Sequence, residues 1–163
     1  MSSIDLTLQG ENSRKLIVLS QIAARFNEAH ILWALGGSAL LYLKKKTTTF
    51  HDLDLLVSLK DASKAVTILK TISSIEAPHP NPKYPTQTFV EFQKDGVEID
   101  LMAGFAIRKE GIVYDCSLTP EQIVESMSLY GTDIPLQSLA LWRRYYQLMD
   151  RPLKVGMIDS DID

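Results

Sequence analysis

The sequence contains a single cysteine, Cys116, among its 163 residues. One thiol excludes an intramolecular disulfide framework, and we expect a cytoplasmic protein in which Cys116 is a core residue. No apolar run approaches the roughly 20 residues that a membrane-spanning helix needs. The N-terminal stretch MSSIDLTLQGENSRK also lacks the apolar region of a signal peptide. Secretion and membrane insertion are therefore not expected.

The sequence also has no excess of basic residues: it contains 17 Lys and Arg and 20 Asp and Glu, which give a formal net charge of −3. This balance does not indicate a basic nucleic-acid-binding surface over the whole protein and argues against an RNA substrate, although a local basic patch stays open. The hydrophobic share of 45% and charged share of 23% are ordinary for a globular protein. We expect residues 1–163 to form a single domain with a real core.

The apolar periodicity predicts helices that alternate with strands, followed by a hairpin and terminal helices. The fold class expected from this order is α/β (α+β) with a small mixed β-sheet. The first half of the chain is predicted to contain a polar tail at 1–12, a helix around 16–26, a strand at 30–35, a helix at 39–46 capped by Ser38, a strand at 52–59, and a helix at 61–75 capped by Asp61. A proline-rich loop at 76–87 follows. The second half is predicted to contain a hairpin at 88–105 with Asp95-Gly96 at its tip, a strand at 111–118, a short helix at 119–127, and a C-terminal helix and tail at 137–163.

Two aspartates lie one residue apart in the second predicted strand, in the stretch HDLDLL. Alternate residues of a strand share a face, so Asp52 and Asp54 point the same way. Adjacent carboxylates repel each other and are costly to desolvate, and a divalent cation removes this conflict. Mg²⁺ prefers carboxylate oxygens and shares substrate phosphates. A solvated strand face remains the alternative, because the tail DSDID repeats the spacing by chance.

A third acid, Asp100, lies between two apolar residues in the stretch VEIDLM. A two-metal site clamps the attacking and leaving oxygens, and a carboxylate from another strand completes it and helps to deprotonate the attacking hydroxyl. The alternative is the polar side of an amphipathic strand, and this is the interpretation that we favour for Glu98.

The stretch LGGS turns the first predicted strand into a helix. Gly36 and Gly37 allow a sharp turn, and the exposed amides at a helix start, together with the Ser38 hydroxyl, bind phosphate oxygens well. Glycine followed by a serine cap also begins many helices that bind nothing. The lysines at 44–46 either contact phosphate or complement the helix dipole, and His51 is either a residue that supports the site or a surface residue.

Taken together, LGGS, the thirteen residues between Ser38 and Asp52, DLDL and the later IDL resemble the nucleotidyltransferase superfamily that includes DNA polymerase beta. The signature of that family is a hydrophobic-Gly-[Gly/Ser] turn, a gap, Asp-hydrophobic-Asp, and a third acid on a later strand. Within the superfamily, the C-terminal stretch DIPLQSLALWRRYYQLMDRPLKVGMID resembles the small bacterial lincosamide and aminoglycoside nucleotidyltransferases.

The resemblance implies a nucleotidyltransferase fold and a Mg²⁺-dependent enzyme. It implies that this enzyme moves a nucleoside monophosphate from a nucleoside triphosphate, ATP by expectation, to a hydroxyl of a small molecule such as an antibiotic, and releases pyrophosphate. The residues that the resemblance implies for triphosphate binding are Gly36, Gly37, Ser38 and Lys46. Those that it implies for catalysis and for holding two Mg²⁺ ions are Asp52, Asp54 and Asp100, with Asp100 as base.

Two departures weaken the antibiotic interpretation. Thr48 stands where the antibiotic enzymes often have an arginine, so a phosphate contact is missing or is supplied by one of the lysines at 44–46. Val155 follows Lys154 where those enzymes have an aspartate. The alternatives are a toxin-like nucleotidyltransferase acting on RNA or protein, and a non-catalytic nucleotide-binding module. We expect the loop at 76–87 and the C-terminal helices to select the acceptor, and a homodimer stays open.

Overall fold

A computed structural model of the protein describes residues 3–78 and 81–160, with side chains from residue 9 onward. The helices are α1 (Ser3–Glu28), α2 (Gly37–Leu43), α3 (Ala62–Ile72), α4 (Leu139–Leu148) and α5 (Pro152–Asp159). The strands are β1 (Trp33–Gly36), β2 (Asp52–Val57), β3 (Ser74–Ile75), β4 (Thr88–Lys94), β5 (Val97–Ala103), β6 (Ala106–Lys109), β7 (Ile112–Asp115), β8 (Glu125–Leu129) and β9 (Thr132–Leu136).

Seven of the strands form one mixed sheet in the order β3-β4-β5-β2-β1-β9-β8. The pairs β2–β5 and β1–β9 are parallel, and the other neighbouring pairs are antiparallel. β6 and β7 form a separate two-stranded ribbon. A mixed sheet flanked by helices confirms the predicted fold class.

The two faces of the sheet have different roles. Trp33 of β1 lies opposite Val57 of β2, so Leu53 and Leu55 of β2 share its face. Helix α1 packs on this face, where Phe26 meets Trp33 edge to face at a ring distance of 5.6 Å. Side chains of this layer are fully buried, including Leu53 and Leu55. The aspartates of β2 therefore project from the opposite face.

The predicted hairpin at 88–105 is present as β4 and β5. Its seven paired positions run from Thr88 opposite Ala103 to Lys94 opposite Val97. Asp95 and Gly96 both have positive φ angles, 51° and 78°, which is the geometry that a tight two-residue hairpin turn requires. The helix predicted at 61–75 is present over 62–72 as α3, but residues 74 and 75 form β3. Asp61 occupies the cap position, yet its side chain accepts hydrogen bonds from Leu32 and Ser58 and does not cap the helix.

The predicted polar tail at 1–12 is wrong for residues 3–12, which belong to α1. The end of this predicted tail contacts the segment before β2, where Asn12 Nδ2 donates to the carbonyl of Thr48 at 3.0 Å. Lys15 Nζ donates to the carbonyl of Phe50 and lies 5.1 Å from the centre of its ring. These partners are more than thirty positions away, so the local pattern does not reveal that the helix extends.

The short helix predicted at 119–127 is also wrong. Only Pro120–Gln122 forms a helical turn, of the 3-10 type, and the chain then enters β8. β8 pairs with β9 around a turn in which Tyr130 and Gly131 both have positive φ angles. Pairing of the two strands satisfies backbone groups that a helix would otherwise satisfy.

The C-terminal segment contains two helices, where one helix and a frayed tail were expected. α4 ends before Arg151-Pro152, and the proline then occupies the first turn of α5. Arg143 of α4 holds α5 through a two-bond contact with Asp159, at 2.7 and 2.9 Å. Residues 161–163, which the tail prediction also covers, lie outside the described residues. None of the described helices has the length and apolar composition needed to cross a membrane.

Candidate active site

Neighbouring strands bring the three predicted acids together on the cavity face of the sheet. In the parallel pair β2–β5, Asp54 lies directly opposite Asp100, and Asp52 is two residues earlier on the same face. One carboxylate oxygen from each of the three side chains lies within 4.8 Å of the others. All three side chains are partly buried. This spacing allows a single cation or a pair of cations to contact all three.

Burial and mutual repulsion raise the pKa values of two of these acids, Asp54 and Asp100. The pKa of Asp54 lies well above its ordinary value, chiefly because of burial and then because of the charges on Asp52 and Asp100. Burial, followed by the charge of Asp52, raises the pKa of Asp100 to about 7. Asp54 and Asp100 therefore favour their protonated forms more than ordinary carboxyls do, unless a cation compensates their charge.

The glycine corner, Gly36-Gly37, is needed because other groups occupy the space where side chains would be. A Cβ atom on Gly37, whose φ is +63°, would lie 1.8 Å from Oδ2 of Asp54. A Cβ atom on Gly36 would lie 2.3 Å from the indole ring of Trp142. The corner thus lets the backbone approach the acids closely.

Ser38 has a different role from the predicted helix cap. Helix α2 begins at Gly37, with Gly36 in the cap position and no side-chain cap. The Ser38 hydroxyl lies 3.5 Å from Oδ1 of Asp52, to which it donates a hydrogen bond, and the residue is buried. Ser38 therefore links the glycine corner to the acids.

A cavity of about 880 Å³ lies over the acids. Its walls come from α2, β2, the proline-rich loop, β4, β5, α4 and α5. Besides the three acids, the lining residues include Ser38, His51, Pro78, Tyr84, Phe89, Glu91, Met102, Phe105, Trp142, Tyr146, Arg151 and Lys154. A volume of this size accommodates a nucleotide-sized ligand.

The fold has counterparts in solved structures, although no family model and no curated protein sequence matches the chain. A Thermotoga maritima protein proposed to be a nucleotidyltransferase is 23% identical, with a TM-score of 0.71 over 88% of this chain and 89% of its own. The chain has a nucleotidyltransferase fold. The lincosamide antibiotic adenylyltransferase LnuA with lincomycin bound is 14% identical, with a TM-score of 0.60 over 88% of this chain and 96% of its own. The complex of ANT(2″)-Ia with adenylyl-2″-tobramycin is 10% identical, with a TM-score of 0.60 over 89% and 87%.

Within this nucleotidyltransferase fold, the predicted phosphate-binding lysine is not among the residues that line the cavity. Lys46 Nζ donates to the carbonyl of Ser160 at 2.8 Å, after the end of α5. Its neighbour Lys44 forms an ion pair with Glu125 of β8. Lys44 and Lys46, which follow the end of α2, therefore contact other parts of the protein.

Two cations that were not predicted as site residues line the cavity instead. Arg151 and Lys154 lie at the start of α5, and the carboxylates of Asp52 and Asp54 are close enough to Lys154 to affect its protonation. Burial, and then the charge of Arg151, lower the pKa of Lys154. The only sequence signal for this pair was its position in the C-terminal stretch that resembles the antibiotic enzymes.

The other residues considered in the sequence divide between site and core. His51 is exposed and lines the cavity, whereas Glu98 is exposed and is not a lining residue. Trp142 and Tyr146 are buried in the core, as expected for the apolar side of α4, and both also line the cavity. Cys116 is buried as predicted, and burial raises the pKa of its thiol to about 11.

Proposed function

We propose that this protein is a Mg²⁺-dependent nucleotidyltransferase that moves a nucleoside monophosphate from ATP to a hydroxyl of a small molecule and releases pyrophosphate. The observation that carries this proposal is the convergence of Asp52, Asp54 and Asp100, with oxygens within 4.8 Å of one another, beside the glycine corner and under a large cavity. Two structures of similar fold support it: an adenylyltransferase with lincomycin bound, and ANT(2″)-Ia with an adenylylated tobramycin.

Magnesium fits the donor set. The three carboxylates offer only hard oxygen ligands, which Mg²⁺ prefers, and burial raises the pKa values of Asp54 and Asp100. The partly buried site also leaves room for water and phosphate oxygens. We expect Asp52, Asp54 and Asp100 to hold two ions. When bound, the ions neutralise charge on the acids and on the phosphates during transfer.

The triphosphate is assigned to the glycine corner and to the cations of α5. Gly36 and Gly37 bring bare backbone to the acids, and the Ser38 hydroxyl already points at Asp52. Arg151 and Lys154 supply positive charge at the cavity wall. In this assignment they take the role that the family resemblance implied for Lys46.

The reaction is an in-line displacement at the α-phosphorus. The acceptor hydroxyl oxygen forms a bond to the α-phosphorus, the bond to the β-phosphate oxygen breaks, and pyrophosphate leaves with its electron pair. Asp100, which lies opposite Asp54 on the neighbouring strand, takes the hydroxyl proton as general base. The remaining residues act by positioning and by charge stabilisation.

The test is to incubate the protein with Mg²⁺, each nucleoside triphosphate and a panel of hydroxylated small molecules, and to measure pyrophosphate and the mass of each acceptor. We expect pyrophosphate and an acceptor heavier by one nucleotidyl group. The double variant D52N/D54N should lose at least about a hundredfold in rate while remaining folded.

The alternatives give different results in the same experiment. If nucleotide binding survives in D52N/D54N and no acceptor yields pyrophosphate with the wild type, the protein is a binding module. If the label from the nucleotide appears only on RNA or protein, the toxin-like alternative is correct and the small-molecule acceptor is wrong.

A further inference from the structure

A fourth carboxylate continues the row of acids across the sheet. Glu91 of β4 lies directly opposite Asp100 of β5, Asp100 lies opposite Asp54 of β2, and Asp54 lies opposite Gly36 of β1. Directly paired residues share a face of the sheet, and Glu91 lines the cavity. Within the described parts of the chain, its carboxylate has no hydrogen-bond or ion-pair partner. This partly buried anion therefore faces the cavity with its charge uncompensated.

The order of the row determines which substrate lies near Glu91. In an in-line displacement the nucleophile approaches from the side opposite the leaving pyrophosphate. The glycine corner, where the phosphates are assigned, is at the β1 end, so the acceptor lies over β5 and β4. Neighbouring strands are about 4.8 Å apart. A group bound to Glu91 would thus be roughly 5 Å from a hydroxyl at Asp100.

The charges of the cavity wall favour a cation in that position. In the metal-loaded site, where bound cations keep the acids ionised, the described residues that line the cavity carry four carboxylates, those of Asp52, Asp54, Glu91 and Asp100. The described lining cations are Arg151 and Lys154, which leaves two negative charges. The four negative charges of a nucleoside triphosphate are cancelled by the positive charges of two Mg²⁺ ions. The loaded site keeps its excess of two negative charges, which a cationic acceptor reduces.

The surface beside Glu91 is apolar. Phe89 lies two residues earlier on the same strand and face, opposite Met102, and both line the cavity. The Phe89 side chain is exposed although it is large, with 42% of the residue accessible. Tyr84 of the proline-rich loop also lines the cavity. An acceptor that reaches Glu91 therefore has an apolar surface to cover.

We propose that Glu91 is an acceptor-binding residue that selects a hydroxylated amine with an apolar body. Its carboxylate binds the ammonium group, Asp100 faces the reacting hydroxyl, and Phe89 contacts the apolar part. This inference rests on the proposed function, because the direction of the acceptor follows from the assignment of the phosphates.

Phenylalaninol, which carries an ammonium group beside a hydroxyl and a phenyl ring, and its neutral N-acetyl derivative are suitable probes. Their dissociation constants are measured with Mg²⁺ and α,β-methylene-ATP, which cannot be cleaved at the reacting position. The wild type is expected to bind phenylalaninol about tenfold more tightly than the N-acetyl form, since hydrogen bonds to charged groups are the strong ones. E91Q should bind both equally, and E91D should keep a preference.

E76Q is the matched control, because Glu76 is an exposed acid whose backbone amide donates to the Glu91 carbonyl and whose side chain is not in the cavity lining. It should keep the full preference. An unchanged preference in E91Q overturns the inference, and so does a nucleotide-loaded wild type that binds phenylalaninol no better than its N-acetyl form. Failure of the wild type to bind the Mg²⁺–nucleotide complex overturns the proposed function instead. Thermal unfolding verifies that each variant is folded.

Discussion

Replacing Asp100 with asparagine is expected to stabilise the metal-free protein while removing its response to Mg²⁺. The pKa of this carboxyl rises from 3.8 to about 7 on folding. Between these values the unfolded chain releases the proton and the folded chain keeps it, so the stability of the wild type falls as the pH rises, by about 1.4 kcal/mol per pH unit at most. Asparagine has no proton to lose, so D100N avoids this fall.

Over the whole interval between these two pKa values, the loss in the free energy of unfolding corresponds to about 4 kcal/mol. Because the carboxyl is partly open to solvent and interacts with Asp54, we expect about half of this, ~2 kcal/mol. The advantage of D100N should be absent near pH 4, grow up to pH 7 and stay constant above it. For a domain of this size, ~2 kcal/mol corresponds to an increase in Tm of about 4–8 °C.

The assay is thermal unfolding of both proteins in EDTA between pH 4 and pH 8, followed by addition of MgCl₂ at pH 8. Mg²⁺ should raise the Tm of the wild type, since it binds only the folded state, and leave D100N unchanged. E98Q removes an exposed acid of the same strand and should alter stability by less than about 0.5 kcal/mol. A D100N protein that is no more stable than the wild type at pH 8 in EDTA would refute this reasoning.

Two further substitutions test the glycine corner and the cations. Gly37→Ala should lower the free energy of unfolding by about 2 kcal/mol or more in urea titrations, because its Cβ atom would lie 1.8 Å from Oδ2 of Asp54 at a φ of +63°. The control Gly10→Ala should not lower it, because Gly10 has open space around it. Equal effects of the two substitutions would contradict the steric argument. Lys154→Met should weaken Mg²⁺–ATP binding about tenfold by calorimetry, because Lys154 lines the cavity. Lys46→Met should alter the affinity less than twofold, because Lys46 contacts the carbonyl of Ser160 and is not a lining residue. The reverse result would support Lys46 as the phosphate-binding lysine.

The part of the site that the sequence predicts is the part determined by local pattern. Asp52 and Asp54 alternate with buried leucines, so their common face follows from the period of two alone. Asp95-Gly96 specifies a tight turn, and the turn determines the register of β5 within the hairpin. The position of Asp100 opposite Asp54, however, depends on the pairing of β2 with β5. Only the family resemblance pointed to that pairing.

Errors occurred where distant or competing contacts decide the structure. Asn12 is polar and resembled a tail residue, but its partner Thr48 lies across the fold. Near Thr119 the helix signal was genuine, because its backbone amide donates to the side chain of Gln122 at 3.4 Å. The Tyr130-Gly131 turn nevertheless pairs the next residues with β9, and the helix ends after one turn.

Arg151, Lys154 and Glu91 could not be predicted because they reach the cavity from elements that are separate in sequence. The first two depend on a proline that ends one helix and starts another, and on the Arg143–Asp159 contact that holds the second helix in place. Glu91 depends on the antiparallel register of β4 with β5. No local pattern marks an acid on an amphipathic strand as facing a cavity, and the same pattern at Glu98 leads to solvent.

The strands that carry the acids also explain why the fold tolerates them. On one face, carboxylates lie opposite each other, an arrangement that is destabilising between neighbouring strands. On the other face, the same strands bury Leu53, Leu55 and Ile99 completely, and each buried aliphatic side chain contributes about 1.5–3 kcal/mol. A solvated strand face would leave the carboxyl pKa values ordinary, whereas those of Asp54 and Asp100 are raised by burial. The raised values therefore favour a ligand site over a solvated face. They imply that D100N, which we expect to stabilise the metal-free protein, also removes one of the proposed metal ligands.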